Sequence, residues 1–348
     1  MNFTKISLII FLLTCISLSG CKKNQYNLTG NIFGTIYYIN FSSSNRIDIG
    51  RIKENINFLL ANIDNVASNY KDNSEIAFLN NSNDQSFVTI SSNLYNLIKK
   101  SLYVGNLTNG YFDITLDDIK KSRGFYFNKE NTYSKNINRN FTYKNIVLGN
   151  SSSIKKTSPN IKIDLSGIAK GYAVDLIYNY LMSKNIKDFT INIGGEIKVN
   201  SNEDEILIAI DDLSKNQPYL EQVLIKNHAI ASSGTYLDTI IYKGAEISHI
   251  IDPKTLKNIS NLNILVSVIH KECAIADALA TGLIAMSKND IIRYSNQNNI
   301  ASMLVIKDGN NMKKYYSSSF KKFLKDWVFS TLLLYIKIMK VLKVFSLS

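Results

Sequence analysis

Asp277 and Thr281 stand four residues apart in a run of small and apolar residues from Ala274 to Ser287, so on a helix they share one face. A carboxylate in such company needs a cation or several donors, because an unpaired buried charge is expensive. Carboxylate and hydroxyl together offer hard oxygen ligands, which suit Mg²⁺ better than zinc. The plainer alternative is a local cap or salt bridge for Asp277, and a bond from Thr281 back to its own helix.

The run Asp164-Leu165-Ser166-Gly167-Ile168-Ala169-Lys170-Gly171 offers a second chemistry. An apolar segment ends, a small-residue turn follows, and a helix begins. Helix N-termini present free N–H groups and favour anions such as pyrophosphate. Lys170 could neutralise a phosphate, and Asp164 could accept from a ligand's ring or sugar. The glycine spacing and the missing Lys-Ser/Thr pair separate this turn from a Walker loop. An ordinary strand-to-helix turn explains the same residues equally well. Three further turns, Asn192 to Glu196, Ser232 to Thr235 and Gly110 to Thr115, would let a backbone approach a flat ligand or form a tight turn. In Ser248-His249-Ile250-Ile251-Asp252-Pro253 an imidazole lies near a carboxylate, so His249 could act as a general base with Asp252 to orient it. His228 and His270 sit in strand-like apolar contexts and read as structural.

The elements that must carry these residues follow from periodicity. Ile52, Ile56, Leu59, Leu60, Ile63 and Val66 recur at helical spacing over 49–68. Further helices are expected at Ser92 to Tyr103, from Gly167 to Met182, and over 274–287. Strands are expected at 31–41, 161–165, 188–199, 205–210, 222–230, 262–269 and 301–306. Residues 127–160 read as weak strands and turns. Strands come in meandering runs with helices grouped between them, which predicts an α+β fold instead of a regular βαβ alternation.

The chain has 348 residues, 45% hydrophobic and 20% charged, enough for one large domain or two interlocked ones and unlike a disordered chain. Its net charge of +12 is scattered in short lysine pairs, without the basic–aromatic interleaving of a nucleic-acid surface. Lys5, an apolar run from Ile6 to Ile16 and Leu18-Ser19-Gly20-Cys21 resemble a bacterial lipoprotein signal. The expected organisation is a signal peptide over 1–20, an acylated Cys21 with a tether over 21–30, a domain over 31–326 and a tail over 327–348. Only Cys273 would remain besides the acylated Cys21, leaving no intrachain disulfide. Lys337, Lys340 and Lys343 give the tail one basic face, which fits a membrane-surface helix; an extension or a helix packed on the domain fits as well.

The short runs, taken in order, resemble the ApbE family of FAD:protein FMN transferases. The matching runs are Gly34-Thr35, Ser74-Glu75 with Asn80, Gly110 to Thr115, Asp164 to Gly171 with Asp175, Asn192 to Glu196, Ser233-Gly234-Thr235, His249 to Thr255 and Ala276 to Thr281. The resemblance implies an ApbE-like, T-fold-related arrangement of mixed sheets with flanking helices. It implies FAD contacts at Phe33, Tyr70, Tyr111, Phe112, Asp113, Asp164 and Lys170. It implies Mg²⁺ held by Asp277, Thr281 and the backbone carbonyl of Gly167, with His249 as base for an acceptor hydroxyl. The expected reaction moves FMN from FAD to a Ser or Thr hydroxyl and releases AMP. Acceptors would be subunits of sodium-pumping NADH:quinone reductases or Rnf-type complexes, at the periplasmic face of the inner membrane. Water as acceptor, giving an FAD pyrophosphatase, and a non-catalytic flavin-binding lipoprotein are the competing readings. Two residues depart from the family wording: Phe33 stands where Met is usual, and Leu256 where the Asp-Pro-x-Thr turn ends in Gly.

Overall fold

A computed structural model describes residues 23–125, 140–211, 218–235, 239–242, 245–259, 264–309 and 311–325. The signal run, Cys21 and the tail from 327 onward lie outside these residues. Eight strands form one antiparallel sheet whose spatial order follows chain order: β1 (Asn24–Ile32), β2 (Thr35–Ser43), β3 (Asp188–Ile193), β4 (Glu196–Asn200), β5 (Ala229–Gly234), β6 (Ile264–His270), β7 (Ala301–Asp308) and β8 (Asn311–Tyr316). The excursions from this meander make the rest of the molecule. Between β2 and β3 come the helices α1 (Ile49–Ala67), α2 (Ser92–Leu107) and α3 (Ala169–Ser183); between β6 and β7 come α4 (Cys273–Ile284) and α5 (Lys288–Gln297). Mixed helices and sheets of this kind are the expected α+β class.

Both faces of the sheet centre are covered, and the strands show it. In β6, Ile264, Val266 and Val268 join the core under the helices. The alternate residues Leu265 and Ile269 join a second core with Val199, Val223, Met303 and Phe320, beneath the hairpin Ile206–Ile210/Glu221–Ile225. A period-two strand with both phases apolar reads as a continuous apolar run. Toward the β1 edge only the helical side is covered, so Tyr37, Ile39 and Phe41 are buried while Ile36 and Tyr38 are exposed. Every residue of α4 except Thr281 is buried, because the helix lies between β5 and β6 on one side and α2 and α3 on the other.

Several element boundaries differ from the sequence expectation. The expected tether over 21–30 is largely strand: residues 24–30 pair along β2, Tyr26 stacks on Phe41 and Leu28 is buried. The expected strand over 31–41 is broken at Phe33-Gly34, where Ile32 pairs with Thr35 across a two-residue turn. The run 188–199 is likewise a hairpin, closed by Gly194-Gly195. The apolar segment 161–165 is buried but forms no strand. Asn80 brackets Ile163, accepting from its N–H at 2.7 Å and donating to its carbonyl at 2.8 Å; Asn69 also donates to that carbonyl, at 2.8 Å. At Ile163 side-chain amides take the place of a neighbouring strand, while Asp164 N donates to Ile114 O at 2.7 Å.

Candidate active site

A cavity of about 590 Å³ opens at the end of the sheet where the β1–β2 and β3–β4 turns meet. That volume is in the range of small-molecule sites. Both turns have two central residues in the left-handed region, Phe33 (φ 52°) with Gly34 (φ 71°), and Gly194 (φ 61°) with Gly195 (φ 103°). Two-residue hairpins favour such values because they match the strand twist. A Cβ on Gly194 would come within 2.8 Å of Thr35 Cγ2, so glycine lets the two turns lie side by side. The opposite wall is the loop after α2, with Tyr111, Phe112 and Asp113. Asp113 ties this loop down, accepting from Thr115 N at 2.8 Å, Thr115 Oγ1 at 2.6 Å and Tyr143 N at 3.1 Å.

One end of the cavity gathers oxygen donors. Asp277 Oδ2 accepts from Gly171 N at 3.0 Å, and Thr281 Oγ1 lies 3.2 Å from Ser233 Oγ. Gly167 packs against Thr281: a Cβ there would meet Thr281 Oγ1 at 3.1 Å. Lys170 donates to Glu196 Oε1 at 2.8 Å, while Glu196 Oε2 is buried and finds no hydrogen-bond partner among the described residues. Burial first, and the Asp277 charge as well, push the Glu196 carboxyl up to about 7; burial also raises Asp277, and Lys170 counters both. Burial works against the Lys170 charge, yet Glu196 and Asp277 outweigh it and hold the ammonium above its ordinary value. Two buried carboxylates share one ammonium, and one oxygen is left over. That is a site short of positive charge. Among the described residues no three His, Cys, Asp or Glu side chains converge as a metal cluster. The side-chain donors beside Gly167 are a carboxylate, Asp277, and a hydroxyl, Thr281, both hard oxygens.

The other end of the cavity is neutralised. Asp164 pairs with Lys120 and accepts from Ser166 N at 2.8 Å. Burial opposes its ionisation, but Lys120 and the Ser166 donors hold its carboxyl below the usual range. Behind it, Asp117 pairs with Lys121 at 2.8 Å and accepts from Asn69 at 2.9 Å. His249 lines the mouth, half-buried, with Ile250 and Ile251. Both Asp252 oxygens serve their own turn: Oδ1 accepts from Lys254 N and Oδ2 from Thr255 Oγ1, each at 2.8 Å.

The ApbE family model matches residues 33–304. The chain belongs to the ApbE family. A Vibrio cholerae relative named FAD:protein FMN transferase is 31% identical, over 91% of this chain and 98% of its own length. A Haemophilus influenzae relative of the same name is 28% identical, over 91% and 97%. The solved structure of the flavin transferase ApbE from Vibrio cholerae matches with a TM-score of 0.76 at 29% identity, covering 87% of this chain and 100% of that one. The Pseudomonas stutzeri flavinyl transferase ApbE shares the fold, with a TM-score of 0.77 at 21% identity over 87% and 97%.

Eleven residues singled out through the ApbE resemblance line this one cavity: Phe33, Tyr70, Tyr111, Phe112, Asp113, Asp164, Gly167, Lys170, His249, Asp277 and Thr281. Cys21, read from the lipobox-like run, lies outside the described residues. Sequence reasoning gave no role to Lys120 or Asn69, which hold the cavity wall, and passed over Glu196 as part of a glycine turn. The only local signal for Lys120 is its neighbour pair Asp117/Lys121 at helical spacing; nothing in the sequence marks Asp164 as its partner. The ApbE turn ending in Leu256 keeps its left-handed geometry: Leu256 has φ 57°, where glycine is favoured. Its side chain packs with Leu116, Ile119 and Ile251, and its carbonyl accepts from Arg123 at 3.1 Å.

Proposed function

We propose that this chain is an FAD:protein FMN transferase that binds FAD in the cavity together with Mg²⁺ and moves FMN onto a Ser or Thr hydroxyl of an acceptor protein, releasing AMP. The observation that carries this reading is the charge-deficient end of the cavity: Asp277 and Glu196 beside one ammonium, with Glu196 Oε2 unpartnered among the described residues. Such a site takes a cation, and Asp277, Thr281 and the Gly167 carbonyl are the residues to hold it. Bound there, a magnesium ion supplies Lewis-acid polarisation of pyrophosphate oxygens and offsets the charge developing on the leaving AMP.

The chain's own residues do the rest. Phe33, Tyr70, Tyr111 and Phe112 provide the aromatic surface for a flat ring system. The Ser166–Lys170 turn presents the Lys170 ammonium to the phosphates. His249, at the mouth, takes the proton from the incoming hydroxyl. The acceptor oxygen then bonds to the FMN phosphorus as the bond from that phosphorus to the AMP oxygen breaks. We extend the reading to acylation of Cys21, the periplasmic face of the inner membrane, and acceptors of the sodium-pumping quinone reductase or Rnf type, on the lipobox-like run and the family resemblance.

The test is incubation with FAD, MgCl₂ and a candidate acceptor subunit, read as in-gel flavin fluorescence. Label on the acceptor that falls about 10²–10³-fold or more in Asp277→Ala is the expected result. Free FMN and AMP without label would assign the site to hydrolysis, and intact FAD throughout would remove both enzyme readings.

A further inference from the structure

Neither α3 nor α4 caps its own N-terminus: no side-chain cap bond is made by Ile168 or by Glu272. Each helix is capped by the other. Asp175 of α3 accepts from Cys273 N at 3.0 Å through Oδ1 and from Ala274 N at 3.0 Å through Oδ2, the first N–H groups of α4. Asp277 of α4 accepts from Gly171 N at 3.0 Å, in the first turn of α3. Asp175 stands four residues beyond Gly171, and Asp277 four beyond Cys273, so the exchange links one turn of each helix. The close approach depends on Gly171, since a Cβ there would sit 2.5 Å from Cys273 O.

Strand β4 holds this junction from below. Its inward residues Glu196, Lys198 and Asn200 bond Lys170, Asp175 and Tyr178 in turn, at 2.8, 2.6 and 3.0 Å. Lys198 and Asp175 are both buried. The Lys198 ammonium is the counter-charge that lets a carboxylate sit inside the protein and cap α4.

We propose that Asp175, held by Lys198, is a positioning residue for the cation site. It fixes where α4 starts and how it is rotated, and so where Asp277 and Thr281, one and two turns further on, place their oxygens relative to Gly167. The inference rests on the cation reading given above. Groups that orient metal ligands without touching the metal typically govern affinity about 10–100-fold.

The experiment uses the full chain and two readouts: the Mg²⁺ concentration that raises the thermal midpoint in the absence of FAD, and the Mg²⁺ half-saturation of transfer beside the KM for FAD. The variant is Asp175→Asn with Lys198→Met, which leaves no unpaired ammonium. The expected result is a Mg²⁺ requirement raised about 10–100-fold in both readouts, with the KM for FAD unchanged. A folded double variant with the wild-type Mg²⁺ midpoint overturns the proposal. Asp277→Ala, run in parallel, tells the two layers apart. If it keeps a normal Mg²⁺ response, the cation reading itself fails; if it loses the response while the double variant keeps it, only the positioning role fails. Should the double variant not fold by circular dichroism, Asp175→Glu, which keeps the charge but lengthens the cap by one methylene, is read against the same two outcomes.

Discussion

Two clusters of buried charge flank the same cavity and are built to opposite ends. Around Asp164, two carboxylates meet two ammonium groups, Asp164 with Lys120 and Asp117 with Lys121, and Asn69 and Ser166 donate to the carboxylate oxygens. Around Asp277, Glu196 pairs with Lys170, the same ammonium counters Asp277, and Glu196 Oε2 finds no donor among the described residues. The first cluster is complete as protein and serves to hold a wall. The second is completed only by something that arrives. Both are anionic side chains near lysines in a chain of many lysines, so composition does not tell them apart; the ratio of partners does.

Removing one lysine from each cluster sharpens this contrast. Lys120→Met should lower stability by about 3–5 kcal/mol, the range for a broken buried pair, whether or not Mg²⁺ is present. Lys170→Met should also unsettle the protein without metal, but millimolar MgCl₂ should restore it, since the cation takes the place of the lost ammonium. Urea unfolding of both variants with and without MgCl₂ is the measurement. Rescue of both, or of neither, would erase the distinction between the clusters.

The balanced cluster also has a pH signature. Burial first, and Asp164 second, push Asp117 from an ordinary 3.8 up to about 6. Its contribution to stability is complete below the unfolded value and is lost as pH rises through about 6. Asp117→Asn should therefore flatten the stability profile over that window and be more stable than the parent near neutral pH by about 1–3 kcal/mol. Equal slopes in the two proteins between acid and neutral pH would show that Asp117 ionises normally.

The smallest effect concerns the apolar backing of the same cluster. Leu256 packs on Leu116 and Ile119, from the segment that carries Asp117, Lys120 and Lys121, and does so with φ 57°. Leu256→Gly relieves roughly 1–2 kcal/mol of backbone strain and gives up a comparable amount of burial and unfolded-state restriction. A net loss below about 1 kcal/mol is expected in thermal unfolding. A clear gain would mean that strain outweighs packing at this turn.

What the sequence makes legible follows the range of the interactions. The period of Ile52, Ile56, Leu60 and Ile63 marks α1, because one helix face meets one core. Strand β1 escapes notice, because Asn24 to Ile32 is an edge strand whose only fully covered side chain is Leu28. The segment 161–165 looks like a strand because it is apolar, but Ile163 at its centre bonds to the Asn69 and Asn80 side chains instead of to a backbone ladder. At the site, Asp277 taken alone fits a local cap as well as a ligand, and only the ordered family wording links it to Gly167 and Thr281. Lys120 and Asp164, forty-four positions apart, carry no local sign of each other.

The direction of β1 has one more consequence. It runs from Asn24 to the turn at Phe33, and that turn forms part of the cavity mouth. Nine extended residues span roughly 30 Å. A chain fastened just before Asn24 would carry its reactive opening at the far end of a stiff arm. The screening length at physiological salt is about 8 Å, so an opening held out at the arm's full reach would sense little of the charge on the surface to which the chain is fastened. Docking at the mouth would then be decided by the partner's own shape and charge, and the arm would set how far from the surface that partner can be met.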